Sequence, residues 1–90
     1  MNFIKSYVVK PSESVEIDFT APILRFGYLQ TSSNSLYISK VNDENILFYL
    51  PNSRSYFSHF NFTTGVNKIV IFNSGEGNAN CSILVEKWGN

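Results

Sequence analysis

The sequence predicts an all-β fold, a small antiparallel β-sandwich of jelly-roll-like form with about eight short strands. Three observations lead there. Apolar residues nowhere keep the three-and-four spacing of a helix face. Instead, β-branched and aromatic runs of about 5–9 residues recur from end to end, parted by clusters of Pro, Gly, Asn and Ser. With 43% hydrophobic and 16% aromatic residues, the chain also has enough apolar surface to order a core, so its polar residues fill turns rather than a disordered tract.

The first run, FIKSYVVK, stops before Pro11. SVEIDF is the clearest strand: Val15, Ile17 and Phe19 share one face and Glu16 and Asp18 the other, so a slip of one residue would bury both carboxylates. Thr20-Ala21-Pro22 breaks the chain, and ILRFGYLQ resumes it with Leu24, Phe26 and Tyr28 in phase. TSSNS then turns that strand back into LYISKV as a hairpin, with Leu36 and Ile38 inward and Tyr37 and Ser39 outward. The polar loop NDEN precedes ILFYL, which Pro51 ends because proline has no ladder donor. Beyond the corner PNSRS, YFSHFNF puts Tyr56, Ser58, Phe60 and Phe62 on one face and Phe57, His59 and Asn61 on the other. Tyr56, Phe60 and Phe62 read as core, which leaves Phe57 on the polar side. TTG leads into VNKIVIF, apolar enough to be covered on both faces. NSGEGNAN is a loose loop, and CSILVEKW closes the chain with Cys81, Ile83 and Val85 in phase.

Ninety residues without a repeat or linker make one domain, 1–90, able to bury only roughly 60–65% of its unfolded surface. Outside help with stability does not come from a disulfide, since Cys81 is the single cysteine, nor from zinc, since His59 is the single histidine. A partner subunit is the remaining source. Seven basic and seven acidic residues are scattered evenly, so no basic stripe exists for phosphates and nucleic acid is not a partner. No stretch has the length of a membrane span or the pattern of a signal peptide, so the chain reads as soluble and made without a secretion signal. The sequons at Asn61 and Asn80 are chance matches in a chain with so many Asn and Ser.

Chemistry finds little to use. His59 beside Ser58 is no catalytic pair, because neighbours on a strand face opposite ways. Glu13, Glu16 and Asp18 read as a solvated face, and NDEN lacks the spaced ligands of a calcium loop. GEG has no helix behind it to present to a phosphate. Cys81 reads as a small buried hydrophobe with no base nearby to lower its pKa. No enzyme, metal or cofactor is expected. What remains are rings on the outward faces: Tyr37, Tyr49, Phe57 and Trp88. Such rings serve as interface anchors or stack on sugars, and the plainer reading is that a second sheet covers them.

SLYIS after a turn, then the Leu50-Pro51 corner in YLPNSRSYF, then GVNKIVIFNSGEGNANCSILVEKW as two closing strands around a glycine-bearing loop form an ordered set. Across residues 22–88 this order resembles small bacteriophage virion proteins, β-sandwich subunits that decorate a capsid or belong to a head fibre or tail. The corner here is Leu-Pro-Asn-Ser where those proteins often carry Leu-Pro-Ala-Gly. The resemblance implies a structural subunit of the virion, made in the host cytoplasm, that self-associates, with a trimer favoured, and docks on other virion proteins. Phe57, Tyr49, Tyr37 and Trp88 are then interface residues. The competing readings are a carbohydrate- or receptor-binding module using Tyr37, Tyr49 or Trp88, and a small inhibitor of a host protein.

Overall fold

A computed structural model describes residues 3–32, 35–52 and 55–89. Its elements are β1 (Phe3–Val9), β2 (Ser14–Gln30), β3 (Leu36–Val41), β4 (Glu44–Tyr49), β5 (Ser58–Asn73) and β6 (Ala79–Trp88). They form one antiparallel sheet of six strands in the order β1-β6-β2-β5-β3-β4. The all-β expectation holds, and the expected count of eight is corrected to six. Two expected breaks do not break anything: SVEIDF and ILRFGYLQ are both in β2, and the S-H-F-N-F part of YFSHFNF joins VNKIVIF in β5.

Pro22 explains why. A proline removes one ladder donor, which a strand tolerates at a bulge, and the β2–β5 ladder slips register between Asp18 and Ile23, around Pro22. The neighbours are shaped to it. A Cβ on Gly65 of β5 would lie 2.6 Å from the Pro22 Cβ, so only glycine fits there without a shift. The Pro22 carbonyl accepts a hydrogen bond from the Gly89 amide at 2.6 Å. The chain therefore bends at Pro22 and stays extended. Residues 14–18 pair with 68–72, while residues 25–28 pair with 58–61 on one side and with β6 on the other.

The bend encloses the core. Ile17 and Phe19, Phe26 and Tyr28, Ile69 and Ile71, and Cys81, Ile83 and Val85 follow the period of two and are all buried. No helix lies among the described residues to cover that face. Leu36 and Ile38 point inward as expected. The hairpin expected between ILRFGYLQ and LYISKV is not formed: β3 lies between β5 and β4, on the far side of β5 from β2. Its supposed turn includes Ser33 and Asn34, which lie outside the described residues, as do Ser53 and Arg54 of the PNSRS corner.

Two buried polar side chains are satisfied. The Tyr28 hydroxyl donates to Gln30 Oε1 at 3.1 Å, and Gln30 Nε2 donates to the Ser32 carbonyl at 3.0 Å. Asn73 Nδ2 donates to the carbonyls of Val9 at 2.9 Å and Gly77 at 2.8 Å, and its Oδ1 accepts from the Gly75 amide at 2.8 Å. One amide thus joins the end of β1, the end of β5 and the loop before β6.

Candidate interaction surface

The surface is built on the β3–β4 hairpin. Asn42 and Asp43 have φ of 49° and 68°, the two left-handed residues of a type I′ turn. The expected NDEN loop is thus a two-residue turn, and Glu44 and Asn45 already belong to β4. Asn42 Oδ1 accepts from the amides of Asn67 at 2.8 Å and Lys68 at 3.2 Å, and its Nδ2 donates to the Gly65 carbonyl at 3.2 Å. Lys68 Nζ sits 2.7 Å from Asp43 and 3.6 Å from Glu16. The hydrogen bond from Lys68 holds the Asp43 carboxyl below its ordinary pKa. The turn is therefore tied to β5, and it carries β4 out to the end of the sheet.

Every residue of β4 is exposed. On its inner side, Phe48 meets Phe60 edge-on at 5.3 Å, and Phe60 and Phe62 lie 5.3 and 5.6 Å from Phe26. Between these rings runs an apolar cleft of about 380 Å³, lined chiefly by Phe26, Ile38, Ile46, Phe48, Phe60 and Phe62. A second hollow of about 330 Å³ shares Val41, Ile46 and Phe62 with it and extends the groove past Asn42, Glu44, Thr63 and Thr64. On the outer side, Tyr49, Tyr37 and Phe72 form a row across three strands, with centroids 5.4 and 5.3 Å apart.

The four expected interface rings do not converge. Tyr49 is 65% exposed and Tyr37 stands half-buried beside it. Phe57 is half-buried elsewhere, where a Cβ on Gly27 would be 3.2 Å from its Cδ1. Trp88 is half-buried against the core at the end of β6. Tyr56, expected in the core, is exposed, because it precedes β5 and the strand's alternation does not reach it. Sequence reasoning missed Ile46, Leu47 and Phe48 on β4 and Ile4 and Val8 on β1, all exposed. Their signal was a run of consecutive apolar residues, which a central strand and an edge strand share.

The remaining polar chemistry is an ion-pair cluster. His59 Nδ1 lies 2.7 Å from Glu86 Oε1, and Arg25 Nε donates to the same oxygen at 3.2 Å. Gly27 stands between β5 and β6 in this register, so no side chain intervenes. Burial acts to raise the Glu86 carboxyl, and the hydrogen bonds from His59 and Arg25 outweigh it, leaving its pKa below the ordinary value. Burial pushes the Cys81 thiol up to about 12, so it stays protonated, as a small hydrophobe in the core should. Among the described residues no group of three His, Cys, Asp or Glu side chains is placed to hold a metal. No protein-family model and no curated protein matches the chain.

Proposed function

We propose that this chain is a non-enzymatic structural subunit that works by associating with copies of itself and docking on a larger lattice. One observation carries the reading. Among the described residues, seven large apolar side chains are exposed, and six of them lie on the two terminal strands of the sheet, β1 and β4. Interior strands keep their large apolar residues covered, so the exposure is concentrated where backbone hydrogen-bonding groups are also open to another strand. A surface of this kind suits protein association better than chemistry.

The order of strands and the Leu-Pro corner, which resemble those of small bacteriophage virion proteins, supply the setting: a decoration, head or tail subunit. We take the sheet to be a small sandwich whose two layers are continuous through β2 and β5. The sugar-binding reading has less support, because Tyr49 and Tyr37 are inclined by 61° and Tyr37 and Phe72 by 48°, which leaves no flat platform. Mass spectrometry of purified particles and of the matching lysate tests the proposal. Recovery of the chain in particles at a fixed ratio to the major structural proteins is expected. A chain found only free in the lysate overturns it.

A further inference from the structure

We infer that copies of this chain join head to tail, with β4 of one copy adding to β1 of the next, so that the sheet continues from subunit to subunit and closes into a ring. The inference rests on the self-association proposed above and specifies its contact.

Two strands end the sheet, and each carries exposed apolar residues beside a single charge, Lys5 on β1 and Glu44 on β4. Ile46, Leu47, Phe48 and Tyr49 run along β4 with no charge or proline among them. The β3–β4 ladder slips register between Ile38 and Lys40. On β1, Ile4 and Val8 are 59% and 62% exposed and project from the same face. At seven and six residues, the two edges also match in length.

Charge selects the pairing. Residues 3–10 contain Lys5 and Lys10 and no acid, whereas residues 42–49 contain Asp43 and Glu44 and no base. Antiparallel pairing of β1 with β1, or of β4 with β4, sets these charges at opposite ends of the contact, whereas antiparallel pairing of β4 with β1 brings the acidic start of β4 beside Lys10 just past the end of β1, and opposite charges across a sheet attract. Both edges are used once per copy, so one kind of contact engages both strands that carry the six exposed apolar residues.

Area argues for closure. An aromatic side chain carries about 150–250 Å² and an aliphatic one less, so the exposed fractions of these six residues come to roughly 500–600 Å² across one junction. That is about half of what a specific interface needs when it stands alone. A ring in which every copy makes two junctions supplies the rest, and heterologous contacts either close in this way or grow into fibres.

Blocking one edge at a time tests the pairing. Ile4→Lys with Val8→Lys blocks β1, and Leu47→Lys with Tyr49→Lys blocks β4. Light scattering after size exclusion is run on the wild type, on each variant and on their equimolar mixture. The wild type is expected as a discrete oligomer, each variant alone as a monomer, and the mixture as a one-to-one dimer that grows no further, because one intact β4 meets one intact β1. A variant that still dimerises alone, or a mixture that stays monomeric beside an oligomeric wild type, overturns head-to-tail pairing while leaving self-association standing. A wild type that is monomeric at every concentration overturns the inference, and the particle experiment then judges the function separately. Far-ultraviolet spectra and melting curves check the fold. Should a lysine pair unfold the chain, Val8→Thr or Leu47→Thr replaces it and the same masses decide.

Discussion

The Asn73 side chain donates to the Val9 and Gly77 carbonyls and accepts from the Gly75 amide, so one residue ties the ends of β1 and β5 to the loop before β6. Asn73→Leu removes these three hydrogen bonds, the one to Val9 in a buried place and those to Gly75 and Gly77 in half-exposed ones, at about 0.5–1.5 kcal/mol each. We expect a loss of about 3 kcal/mol by chemical unfolding, a large part of the stability of a domain this size. Gly65→Ala drives a Cβ into Pro22 and should cost about 1–3 kcal/mol. Gly27→Ala brings its Cβ to 3.2 Å from the movable Phe57 ring and 3.5 Å from the Glu86 carboxyl, and should cost less. Glu86 sets the response to acid. Its folded pKa lies below its unfolded value, so its contribution is present above the unfolded pKa and is lost as pH falls through the folded one. Melting temperature should fall as pH drops below about 4.3, the ordinary value for a glutamate. Glu86→Gln should flatten that acid limb, with Asp43, held low by Lys68, keeping one of the same sign.

At the scale of elements, the β3–β4 hairpin and the bend of β2 and β5 set where the exposed edge lies. Asn42 serves the hairpin twice, by accepting a left-handed backbone and by bonding to β5. Asn42→Ala loses both and should cost about 2 kcal/mol, and Asn42→Gly, which keeps the backbone freedom, should fall between Ala and wild type. Thermal unfolding of the three proteins orders them. Along β4 the two faces separate by role. Leu47 is 64% exposed, so Leu47→Ser should change stability of the monomer by less than about 0.5 kcal/mol. Phe48→Ala removes the ring that meets Phe60 and opens the cleft wall, so it should lower stability by about 1–2 kcal/mol, less than the full cost of a core ring because Phe48 is partly exposed.

Over the whole molecule, the ladder joins the two ends of the chain: Phe3 pairs with Val85 and Val9 with Ala79. A sheet whose partners are this far apart in sequence must close long loops before it gains contacts, so folding belongs in the millisecond-to-second range of all-β domains. The same connectivity predicts a gradient of protection. Amide hydrogen exchange should be slower in β2, β3, β5 and β6, which have neighbours on both sides, and fastest in β4 and β1. Removing residues 79–89 strips β1 of its only ladder partner and β2 of one of its two, and the shortened chain should show no cooperative unfolding transition.

The period of two was legible from residue types alone, because side-chain direction on a strand is a local property. The burial of Ile17, Phe19, Leu36, Ile38, Cys81, Ile83 and Val85, and the exposure of Glu16 and Asp18, follow from it. Local information also contained the Asn42-Asp43 turn, since both residues tolerate a left-handed backbone, although it reads as a loop until the strands on either side are seen to pair. Strand number was not local. Pro22 and Gly65 look like breaks separately and become one bend only when they meet across the ladder. Whether ILFYL is a buried strand or an edge depends on which strands lie beside it, and those partners are far away in sequence. The sequence by itself therefore determined the in-and-out alternation along each strand, and the tertiary structure alone decided which strands are left at the edges of the sheet.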